Sequence, residues 1–125
     1  MTKKHNPLFL KSSEAARSQI RELTIDDVKT VIDRGGPIEL LDVREDHEWI
    51  KGHLPMAEHL GRGILERDIE KKLPDLATEI VVYCGGGFRS ALAAESLGRM
   101  GYHNVYSMAG GYSAWLARGF PVTKD

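Results

Sequence analysis

The apolar run Ile80-Val81-Val82-Tyr83 ends on the chain's only cysteine, Cys84, and three glycines follow before a helical pattern begins. This junction restricts the fold more than any other stretch. A β-branched and aromatic run without polar alternation suits a strand covered on both faces, as in a parallel sheet flanked by helices. Gly85, Gly86 and Gly87 add no side chains, so their amides are free to turn inward. From Arg89 or Ser90 onward, Ala93, Leu97 and Met100 fall at i, i+4 and i+7 on one helix face. The positive end of that helix would look at the sulfur.

The rest of the chain repeats the alternation. Leu8, Phe9, Ala15 and Ala16 give a weak amphipathic signal for a helix over 7–18, lying outside the domain, and residues 1–6 read as a loose polar end. A short strand over 19–23 leads to Thr24 and Asp27, spaced as a capping box ahead of Ile25, Val28, Val31 and Ile32. Gly35-Gly36-Pro37 stops that helix. Strands are expected over 38–43, 57–60 and 104–108, with helical segments over 45–50, 64–73 and 112–118 and a Gly61-Arg62-Gly63 turn. Gly101 and Gly119 read as helix terminators, and Phe120-Pro121-Val122 as a return along the core. The fold class is therefore α/β, a three-layer α/β/α arrangement with a central, mostly parallel five-stranded sheet. Residues 1–18 form an N-terminal extension and 19–125 the domain. Ligands in such sheets sit beyond the carboxyl ends of the strands, which puts Cys84, Asp42 and the Gly61–Gly63 turn on one rim.

Charge and cysteine count narrow the function. A formal net charge of −1 in 125 residues offers no basic field for nucleic acid or an anionic membrane, so any anion site must be local. One cysteine forms no internal disulfide, and the cysteine and five histidines lack metal-site spacing, so no metal is expected and a reducing, cytoplasmic setting is. Leu8-Phe9-Leu10 is too short for a signal or membrane segment. The thiol is left with either a packing or a chemical role. At the mouth of a ring of amides, against a helix N-terminus and beside Arg89, it should ionise more easily than a free cysteine and needs no nearby histidine as base. The same cradle would hold an anion.

Cys84-Gly85-Gly86-Gly87-Phe88-Arg89-Ser90 resembles the active-site loop of rhodanese-like sulfurtransferases. Upstream, Asp42-Val43-Arg44, Glu48, Gly52-His53, Pro55 and Ala57 match a second family signature. Gly110-Gly111-Tyr112, Trp115 and Gly119-Phe120-Pro121-Val122 match a third. Together they cover roughly residues 20–122 in the right order, which is far more specific than one glycine-rich loop. Two departures stand out: Met56 occupies a position where glycine is usual, and Gly61 one where proline often precedes an Arg-Gly turn. The resemblance implies a ping-pong reaction in which Cys84 takes a sulfane sulfur from a small anionic donor such as thiosulfate and passes it to cyanide or a thiol. It assigns Arg89 to the donor and the amides of Gly85 to Ser90 to the persulfide. It implies no cofactor, and a sulfur-relay protein as a candidate partner.

Other readings stay in view. Related phosphatases and arsenate reductases place one residue more between cysteine and arginine than the four found here, and the shorter loop suits a sulfur atom better than a tetrahedral oxyanion. A binding or regulatory module of the same fold is the alternative from another class. The absence of a Ser-Gly-x-Thr pattern disfavours a mercaptopyruvate donor. Arg44 and Glu48 are four apart and read as a helical ion pair, with Asp42 holding nearby backbone, so these three are assigned to structural support. Arg62 reads equally as solvated or as reaching the rim to bind the donor. His53 is expected to bond within its turn, Trp49 and Trp115 to pack, and the charges from Glu66 to Lys72 to face solvent.

Overall fold

The structure is a computed structural model that describes residues 5–124; the first four residues of the expected polar end lie outside that range. Five strands, β1 (Arg21–Leu23), β2 (Glu39–Asp42), β3 (Glu58–His59), β4 (Ile80–Tyr83) and β5 (Val105–Met108), form one sheet in the order β1-β5-β4-β2-β3. Every pairing is parallel. The helices are α1 (Pro7–Arg17), α2 (Ile25–Asp33), α3 (Asp46–Ile50), α4 (Leu65–Lys72), α5 (Phe88–Arg99) and α6 (Gly111–Ala117), and a 3-10 turn over Arg62–Ile64 leads into α4.

Burial explains the unalternating apolar run. All four residues of β4 are buried, because Ile80 and Val82 face the core under α4 and α5 while Val81 and Tyr83 face the core under α2 and α6. Cys84 continues the first of these sets. Leu65 and Ile69 of α4 join Ala93, Ala94 and Leu97 of α5 on one face; Val28 and Trp115 pack on the other. Met100, expected on the inner face of α5, lies beyond its last turn and is 39% exposed. Local signals end the helices where expected. Thr24 Oγ1 accepts from the Asp27 amide and Asp27 Oδ2 from the Thr24 amide, closing the capping box at 3.0 and 3.1 Å.

The strand order positions the site. β4 lies between β2 and β5, so the loop leaving its carboxyl end is bordered by the Asp42 corner after β2 and by the Gly110-Gly111 turn after β5. α1 lies outside this body against α5. No helix among the described residues is long and apolar enough to cross a membrane.

Candidate active site

Cys84 leaves β4 as a residue only 1% exposed, and two backbone N–H groups donate to Sγ, from Gly87 at 3.2 Å and Ser90 at 3.3 Å. Ser90 Oγ lies 3.5 Å from Sγ and 2.8 Å from Ser107 Oγ. The loop's carbonyls are held in other directions. At the start of α6, the Tyr112 amide donates to Cys84 O and the Ser113 amide to Gly85 O, both at 2.8 Å. Gly111 makes that approach possible, since a Cβ there would stand 2.6 Å from Cys84 O and 2.7 Å from Gly85 O. Gly87 completes the bend with φ +96, just ahead of α5. With the carbonyls drawn off by α6, the amides are left to the sulfur.

Arg89 is held by Glu48. Nη1 and Nη2 donate to the two carboxylate oxygens at 2.7 and 3.0 Å across 41 residues of sequence. The Arg89 hydrogen bond, opposed in part by burial, takes the Glu48 carboxyl down to about 2, and the Arg89 guanidinium is raised first by the same bond and further by the neighbouring Cys84. This pair and Cys84, Gly85 and Gly86 line a cleft of about 820 Å³. Its lining also includes Phe88 and, from the N-terminal segment, His5 and Phe9. Among the described residues no group of His, Cys, Asp and Glu side chains gathers as a metal site would.

The rhodanese-like domain family matches residues 24–118. The chain belongs to the rhodanese-like family. Its similarity to Bacillus subtilis YrkF, described as "Putative sulfur carrier protein YrkF", is 32% identity over 109 residues, 86% of this chain and 56% of that one, so the chain spans little more than half the length of that relative. Among solved structures, the polysulfide-sulfur transferase homodimer of Wolinella succinogenes superposes with a TM-score of 0.78 at 29% identity, covering 93% of this chain and 87% of that one. A Rhodopseudomonas palustris protein described as of unknown function and "Possible Tyrosine Phosphatase" gives 0.82 at 28% identity, covering 98% and 99%.

The rhodanese-like signatures take different positions around the loop. The expected Arg44–Glu48 pair does not form. Arg44 turns inward to grip Asp42 Oδ2 at 2.7 Å and the Gly52 carbonyl at 2.6 Å, and its guanidinium lies 4.1 Å from the centre of the Tyr112 ring. Glu48 is thereby left for Arg89, because a buried carboxylate two residues away satisfies Arg44 more fully than a half-exposed one on the next turn. Asp42 holds backbone as expected, accepting from the Arg44 amide at 2.9 Å. Gly52 is needed where it stands, with φ +143 and a Cβ position 2.6 Å from Tyr112 Oη.

Arg62 is absent from the cleft lining and pairs with Glu66 at 2.7 Å instead, one helical turn along. The two departures from the signature leave the backbone intact. Met56 adopts φ 70, the left-handed region that glycine reaches without strain, and Gly61 keeps φ −58, which proline would share. Sequence reasoning missed the Glu48–Arg89 pair and the arrival of His5 and Phe9 at the cleft. No periodicity links residues 41 apart, and the weak signal in α1 marked a helix without marking its neighbour.

Proposed function

We propose that this protein moves a sulfane sulfur from a donor such as thiosulfate to a thiophilic acceptor, cyanide in an assay and a thiol in the cell, with Cys84 as carrier in a reducing, cytoplasmic setting. The observation that carries the reading is the pair of amides set on Sγ from Gly87 and Ser90, inside a loop with four residues between Cys84 and Arg89. The attacking species is the thiolate. It forms a bond to the outer sulfur of thiosulfate as the bond to the sulfite sulfur breaks, and sulfite leaves with that electron pair. The Gly87 and Ser90 amides steady the sulfur that carries the persulfide, and the remaining loop amides stand ready for the terminal one. Cyanide or a thiolate then takes the outer sulfur and Cys84 leaves as thiolate, so both steps balance without an added oxidant or reductant.

The sulfur-carrier description of YrkF supports a second reading, in which the persulfide passes to a relay protein and turns over poorly with cyanide. One experiment separates these. The protein is mixed with thiosulfate and freed of excess, and intact mass is read for the addition of one sulfur, then cyanide is added and thiocyanate assayed. Sulfur gain with rapid thiocyanate release is the expected result; gain without release favours the relay. No gain in folded wild type, or undiminished activity in Cys84→Ala, would sink the persulfide mechanism. Hydrolysis of p-nitrophenyl phosphate with no sulfur uptake would favour a phosphatase.

A further inference from the structure

The segment ahead of the family match reaches the cleft. Phe9, Ser13 and Ala16 lie at i, i+4 and i+7 of α1, and Ser13 and Ala16 are fully buried on the side of α1 that meets α5. Small residues let the two helices approach closely, which fixes where Phe9 stands. Its ring centroid is 6.1 Å from that of Phe88, the residue that opens α5 beside the loop. His5 lies against both, with ring centroids 4.5 Å from Phe88 and 5.4 Å from Phe9. The three rings meet at tilts of 51 to 53° and all line the same cleft as Cys84.

The charged part of the lining recruits a ligand less strongly. Its only guanidinium among the described residues, Arg89, is already bound through both terminal nitrogens, Nη1 and Nη2, by Glu48, and Glu45 adds another carboxylate. The tilted rings, by contrast, present apolar faces and edges that a second flat or apolar group can join without displacing a partner. We infer that His5, Phe9 and Phe88 form an acceptor-selecting wall, and that the thiol taking sulfur from Cys84 carries an aromatic or similarly apolar body. The inference rests on the sulfur-transfer reading for the identity of the acceptor, not for the existence of the wall. In the step itself the acceptor thiolate bonds to the outer sulfur of the Cys84 persulfide while the Cys84 S–S bond breaks, giving the acceptor persulfide and the Cys84 thiolate.

Because Cys84 is the only cysteine, the wall can be tested without sulfur chemistry. Alkylation rates are measured by intact mass with iodoacetamide and with iodoacetanilide, which carries a phenyl ring, each normalised to free cysteine. Wild type is expected to favour the phenyl reagent, and Phe9→Ala to lower that preference about 2- to 10-fold. His5→Ala, which stands before the helix and leaves its packing in place, is expected to lower it in the same direction and covers the case in which Phe9→Ala melts. An unchanged preference in both folded variants would overturn the wall. Discharge of the thiosulfate-loaded protein by benzenethiol against 2-mercaptoethanol, each normalised to its rate with free cysteine persulfide, then tests the acceptor: equal normalised discharge of wild type by the two would overturn the acceptor class. Failure to load sulfur at all, with the alkylation preference intact, would count against the proposed reaction and leave the wall standing.

Discussion

Arg44 and Arg89 each close a two-pronged pair with a carboxylate on the same rim of the sheet, and the two pairs do different work. Arg44 grips Asp42 two residues away with side chains 4% and 0% exposed, and spends a further donor on the Gly52 carbonyl. Arg89 grips Glu48 from 41 residues away with side chains 32% and 26% exposed, on the wall of the cleft. The ions and the bond lengths are alike. Burial separates them: removing one partner of the inner pair strands a charge in the core, whereas water or a ligand can take the place of a partner in the outer one. The inner pair ties the Asp42 corner to α6 through the Tyr112 ring, and α6 holds the carbonyls of the Cys84 loop. The outer pair places its charges on the cleft wall, where the proposed donor would meet them.

The sharpest way to break this contrast is through stability. Arg44→Ala should cost about 3–5 kcal/mol, read from urea unfolding, because Asp42 would be left charged and fully buried. Arg89→Ala should change unfolding by less than about 1 kcal/mol, while kcat/KM for thiosulfate falls roughly 10- to 100-fold through the loss of charge-assisted bonds to the donor. Equal losses of stability in the two variants would erase the distinction.

Glu48→Gln sharpens it further and has the smallest expected effect. Freed of its counter-ion, Arg89 should bind thiosulfate better, with KM falling about 2- to 5-fold. The pH dependence has a definite sign. Glu48 is depressed from the ordinary 4.5 to about 2 in the folded protein, so its contribution is fully present above pH 4.5 and is lost as pH falls toward 2. The stability gap between wild type and Glu48→Gln should therefore be constant above that range and close through it. A gap that widened on acidification would contradict the pairing.

Much of the fold was legible because its signals are local. Thr24 and Asp27 cap α2 across three residues, Gly35, Gly101 and Gly119 end helices with positive φ, and β4 announces its double burial by lacking any polar position. The loop was legible for the same reason, since Gly87 and Ser90 lie three and six residues from the sulfur they bind. The errors fall where local and tertiary options compete. An i, i+4 pair between Arg44 and Glu48 was available to the helix, and the buried carboxylate of Asp42 won. Arg62, for which a solvated and a rim position were equally open, pairs with Glu66 one turn along, outside the cleft lining.

From sequence alone came the α/β alternation, the cysteine at the end of a buried strand and the glycines that let amides face it, because each depends on backbone geometry within a few residues. Only the tertiary structure paired Glu48 with Arg89, drew the loop's carbonyls toward α6 and laid His5 and Phe9 beside Phe88. Those contacts join segments between 28 and 83 residues apart, and whether they form depends on how helices pack across a sheet, which no local pattern of side chains encodes.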